Sequence, residues 1–131
     1  MQFRILLCLM LIFNFNAFAV ESNATIKDNL FELKEYIDEA NHRKPKKFNE
    51  LLTIVYNDLE SKIHEIEEQM GGKKTALTIK MHEEHQSIQK DIVLYKQATK
   101  KKAKGLRVYI VQKLEQLFRQ IEAYDNKAKK E

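Results

Sequence analysis

The chain contains one cysteine, one proline, three glycines and no tryptophan. The cysteine, Cys8, sits in an apolar leader, so everything after it lacks both a disulfide and a thiol nucleophile. Small exported domains commonly rely on disulfides because their cores are small, and this one must hold by packing alone. One proline and three glycines leave little material for turns. Also missing is any glycine-rich phosphate loop. The serines after the leader, Ser22, Ser61 and Ser87, lie in no strained turn, and the acids fall on helix exteriors. Neither a nucleophile with its base nor a pair of carboxylates in a cleft can be assembled from that set. The expectation is a protein that is not an enzyme.

The leader is organised as an export signal. Arg4 precedes nine apolar residues, 5–13, after which Asn14 and Asn16 lower the hydrophobicity and Ala17, Phe18 and Ala19 supply a small-residue cleavage site. A membrane anchor needs about 20 apolar residues. Residues 5–20 are too few and are interrupted twice, and no later stretch is apolar enough to span. The reading is therefore a signal peptide at 1–19, cut after Ala19, and one helical domain at 20–131. Such a protein would be secreted, or periplasmic in a bacterium. Asn23-Ala24-Thr25 is a glycan-acceptor triplet, which makes Asn23 a candidate glycosylation site in a eukaryotic host.

Without the leader, 22 Lys and Arg face 19 Asp and Glu, unevenly spread. Residues 20–99 carry 12 bases and 15 acids, while residues 100–131 carry 10 and 4. A mildly acidic body thus ends in a basic segment, a pattern that suits contact with anionic surfaces.

Apolar residues recur at helical spacing. The first helix is expected over 25–41, capped by Thr25, with Ile26, Leu30, Leu33, Ile37 and Ala40 on one face. The second is expected over 46–70, after Pro45, with Phe48, Leu51, Leu52, Val55, Leu59, Ile63, Ile66 and Met70 inward. Gly71 and Gly72 close it. Thr75 opens a third, with Leu77, Met81, Ile88, Ile92 and Tyr95 inward. A fourth is expected from about Leu106, with Ile110, Leu114, Leu117, Ile121, Tyr124 and Ala128 inward. The third and fourth are separated by a break at Gly105, although Ile92 and Ile110 stand five turns apart and would share a face of one unbroken helix. The fold expected is all-α: an antiparallel four-helix bundle with coiled-coil-like packing, or a three-helix arrangement if the last two are continuous.

Five sets of residues are candidates for function. His82 and His85, three apart on a helix, could offer two imidazoles to a zinc or copper ion. His42 and His64 lie opposite their apolar stripes, pointing to solvent, and do not supply the third ligand. Lys100, Lys101, Lys102 and Lys104 resemble a heparin-binding run and suit a sulfated polysaccharide or lipid headgroups. Nucleic acid is disfavoured, since no aromatic residues interleave with these lysines. Val93, Leu94 and Tyr109 fall outside the apolar stripes, as does Ile79, and form a candidate patch for a protein partner or a second copy. Finally, Lys46-Lys47, Lys73-Lys74 and Lys100-Lys101 are dibasic pairs of the kind cut in prohormones. Tyr36, Tyr56, Tyr95, Tyr109 and Tyr124 could lend polar tips to a cavity holding a lipid-like ligand. The function expected is binding, to a protein partner or an apolar ligand, with no cofactor. A precursor cut at Lys-Lys sites and an anionic-surface binder are the alternatives.

Overall fold

The structure, a computed structural model, describes residues 20–42 and 45–130. The expected signal peptide and its cleavage point lie outside the described residues. Four helices follow in order among the described residues: α1 (Asn23–His42), α2 (Lys46–Gln69), α3 (Ala76–Gln97) and α4 (Lys100–Lys130). Among the described residues there is no strand, and no helix is long and apolar enough to cross a membrane.

The helices form a closed ring. α1 packs on α2, α2 on α3, α3 on α4, and α4 returns to α1, while α2 and α4 also touch across the short diagonal. Side-chain pairs set the register. Lys34 meets Glu115 at 2.9 Å and Asp38 meets Lys104 at 2.8 Å on the α1–α4 seam, and Asp91 meets Lys113 at 2.7 Å on the α3–α4 seam. Rising numbers on one helix meet falling numbers on its neighbour, so adjacent helices are antiparallel.

The ends explain where each helix starts and stops. Ser22, not Thr25, opens α1: its hydroxyl accepts from Thr25 N and its carbonyl from Ile26 N. At the end of α2, Gly72 N donates to Glu67 O at 2.9 Å and Gly71 N to Glu68 O at 3.0 Å. Both glycines have positive φ, 78° and 76°, the double closure that satisfies the last carbonyls of a helix. Thr75 caps α3 in a reciprocal pair with Thr78.

The break between α3 and α4 is at Ala98 and Thr99, six residues before the expected Gly105. Ala98 is extended (φ −75°, ψ 150°), and Thr99 O accepts from Lys102 N and Ala103 N to start α4. Gly105 lies within α4, so the lysine run is the first turn of a helix and not a connector.

The core follows most of the expected stripes. Ile26, Leu33, Phe48, Val55, Leu59, Ile63, Ile66, Met81, Ile88, Ile110, Leu114, Leu117 and Ile121 are all essentially sealed from solvent. α4 contributes a second column, Val111 and Phe118, because it touches three other helices. Two expected core positions are on the surface. Leu77 is exposed because the capping pair turns Thr78 inward instead, and Ala128 is exposed near the end of α4. His85 and Arg107 enter the core where no polar residue was expected. Tyr95 behaves as an ordinary core tyrosine, its hydroxyl donating to Asn49 Oδ1 at 2.8 Å.

Candidate functional site

The corner where α3 passes into α4 gathers two of the candidate sets. Val93, Leu94 and Tyr109 are 48%, 54% and 50% exposed, so no neighbouring helix covers them. They do not form one continuous patch. Val93 borders a cleft of about 370 Å³ between α2 and α3, with Leu52, Tyr56 and Ile92 in its walls. Leu94 lies one turn beyond Asp91, whose carboxylate accepts from Lys113 Nζ at 2.7 Å. The same ammonium stands 4.9 Å from the Tyr109 ring centre. Leu94 and Tyr109 therefore share the outer α3–α4 seam, and Val93 faces the opposite edge of α3.

The lysine run lies at the same corner because the chain turns at Ala98 and Thr99. Lys100, Lys101 and Lys102 occupy the first turn of α4, all exposed, with no acid beside them in that turn. A helix N-terminus already carries partial positive charge, so three ammonium groups there raise the local potential further. Lys104 is set apart, reaching to Asp38 on α1 at 2.8 Å. Only Lys73-Lys74, of the three dibasic pairs, lies outside a helix. Lys46-Lys47 and Lys100-Lys101 begin α2 and α4.

The two histidines read as one metal pair are separated by their environments. His85 is buried and stacks on Tyr56, centres 3.9 Å apart, and its Nε2 donates to Tyr56 O at 3.0 Å. Burial holds its pKa below the ordinary imidazole value. His82 stays near the surface and meets residues of α2. Its Nε2 is 3.1 Å from Glu67 Oε2, and His64 Nδ1 is 3.2 Å from Glu67 Oε1. The two imidazole centres are 5.5 Å apart. Hydrogen bonding from His82 holds the Glu67 carboxyl below the usual range. His64 is indeed exposed, but an exposed side chain can still reach a carboxylate three residues along its own helix. The signal was His64-x-x-Glu67, a spacing that the solvent-facing position of His64 obscured. The side chain of His42 lies outside the described residues.

Asn23 is half-buried at the start of α1, and its Nδ2 donates to Asp125 Oδ2 at 2.7 Å. That nitrogen is the atom a glycan would use, and in the fold it ties α1 to α4. Asp125 also accepts from Lys62, whose ammonium is drawn from α2 into the same network and shared with Glu65 at 3.1 Å. A second apolar cleft, of about 610 Å³, opens at the far end of the bundle between Met70, Leu77, Ala123 and Tyr124. Comparison with family models, with curated proteins and with solved structures gave no match to this chain.

Proposed function

We propose that this is an exported, non-enzymatic binding protein whose contact surface is the α3–α4 corner, and that its partner is a protein with an apolar surface edged by acidic groups. One observation carries the reading. Leu94 and Tyr109, both at least half exposed, share the outer α3–α4 seam, and the exposed Lys100, Lys101 and Lys102 open α4 at the same end of the bundle. Apolar area rimmed by charge of one sign is the composition of a recognition site. The rim supplies long-range attraction and the apolar centre supplies residence time. Asp91, the nearby acid, is already engaged by Lys113 and offsets little of that field. Binding at such a surface orders few side chains, because the helices that carry it are already fixed by the core.

A photoreactive residue placed at Leu94 tests this, with Phe31 on α1 as the exposed control. The expected result is capture of one discrete protein from the native extracellular fluid at position 94 and not at 31. Replacing Lys100, Lys101 and Lys102 by Gln should abolish it. The captured protein should carry an acidic apolar surface. Equal capture at both positions refutes the reading. Retention on heparin above physiological salt, with no protein captured, would assign the corner to a sulfated polysaccharide instead.

A further inference from the structure

His64 and Glu67 on α2 and His82 on α3 bring two imidazole nitrogens and a carboxylate together next to the turn that joins those helices. We propose that these three side chains bind a zinc ion that clamps α2 to α3. The donor atoms of the trio all lie within 4.8 Å of one another. A tetrahedral zinc with bonds of about 2.0–2.1 Å needs its donors about 3.3 Å apart. His82 Nε2 already stands 3.1 Å from Glu67 Oε2 and His64 Nδ1 3.2 Å from Glu67 Oε1, so each imidazole has a carboxylate oxygen at that spacing. Bringing both nitrogens and one carboxylate oxygen onto a single ion needs only a rotamer adjustment of His64, whose side chain is 61% exposed and has room to move.

The chemistry of the set selects the metal. Two nitrogens and one carboxylate are a zinc ligand set, whereas calcium and magnesium require shells made almost wholly of oxygen. Each imidazole already directs the nitrogen that would ligate toward Glu67. Zinc therefore replaces the protons in two existing hydrogen bonds and need not gather scattered groups. His82 is held by α3 and His64 and Glu67 by successive turns of α2, so rigid helices carry all three ligands. Three protein ligands leave a fourth position, which faces solvent beside His64 and takes water.

The consequence is mechanical. Glu67 accepts the hydrogen bond that closes α2 through Gly72, so the same residue terminates the helix and holds the metal. Zinc at this point pins the α2–α3 hairpin immediately next to its turn.

Calorimetric titration of the purified protein with zinc chloride is the test, alongside H64Q and H82Q. One zinc per chain with micromolar or tighter affinity is expected, weakened at least about 10-fold in each variant. Zinc should also raise the melting temperature of the parent and not that of the double variant. Both proteins should melt alike without metal, which separates loss of a ligand from loss of the fold. Cobalt(II) in place of zinc should give tetrahedral visible absorption that disappears in H82Q. Affinity no better than millimolar, or affinity unchanged in both variants, overturns the assignment.

Discussion

The same substitution, glycine to alanine, should have opposite signs at two places in this chain. Gly105 lies within α4, and a Cβ built on it meets nothing within 4 Å. Alanine there removes backbone freedom from the unfolded chain and keeps every contact, so Gly105→Ala should stabilise by about 0.5–1 kcal/mol. Gly71 and Gly72 also have open space around them, but their φ values are +78° and +76°. An L side chain in that conformation costs about 1–2 kcal/mol, which exceeds the entropic gain. Gly71→Ala should therefore destabilise by roughly 1 kcal/mol. In a domain of this size 1 kcal/mol moves the melting temperature by about 4 °C, well within the reach of calorimetry or circular dichroism. Urea titrations should show shifted midpoints and an unchanged slope. The reasoning fails if Gly105→Ala destabilises, because the chain would then turn at Gly105 and the lysine run would not belong to α4.

Leu114, fully buried in α4, should lose about 2–5 kcal/mol on truncation to alanine, and Leu114→Asp should not fold, as circular dichroism will show. Leu94→Glu changes an exposed position and should move the melt by less than about 0.5 kcal/mol; a large loss would place Leu94 in the core and remove it from any contact surface. Asp125→Ala deprives Asn23 and Lys62 of a shared acceptor and should cost about 1–3 kcal/mol in chemical denaturation. His85 is held neutral by burial, with its imidazole pKa lowered. The unfolded chain therefore binds the proton more readily, and stability is fully present above the ordinary value of 6.5. It declines as pH falls below that value towards the depressed one. Glu60 opposes this lowering and His64 and His82 add to it. His85→Phe keeps the stacking on Tyr56 and should flatten that part of the stability–pH curve, while an unchanged slope would assign it to other groups.

The helices were legible wherever one apolar face was strong enough to show at a period of 3.6 residues. α2 is the clearest case, with Phe48, Leu52, Val55, Leu59, Ile63 and Ile66 all buried as read, and Gly71-Gly72 closing it. The α3–α4 boundary was not legible from breakers, because the chain turns at Ala98 and Thr99 without glycine or proline. A different signal was present. Thr99 is the only Ser, Thr, Asn or Asp between Asp91 and Asp125, and those residue types begin helices. Leu77 was misplaced because a wheel admits a start at either 77 or 78, and the hydroxyl pairing with Thr75 decides it. The trio of His64, Glu67 and His82 could not be read in full. Two of its members share a helix, but the third depends on how far α3 slides along α2. That offset is set by packing, and no local pattern in either helix records it.

α4 has consequences for the order in which the molecule can assemble. Three polar bonds of α1, Asn23 to Asp125, Lys34 to Glu115 and Asp38 to Lys104, run to α4, as do those of Glu84, Ser87 and Asp91 on α3. On a chain made from its N-terminus these anchors are synthesised after α1, α2 and α3. Until they emerge, α3 is held to α2 by His82, His85 and Tyr95, but α1 has little to fix how far it slides, and the unfinished bundle exposes the surface that α4 will cover. Final docking of α1 is therefore expected to wait for α4. A ribosome-bound intermediate ending before residue 100 should bind hydrophobic dyes and chaperones that the finished protein does not.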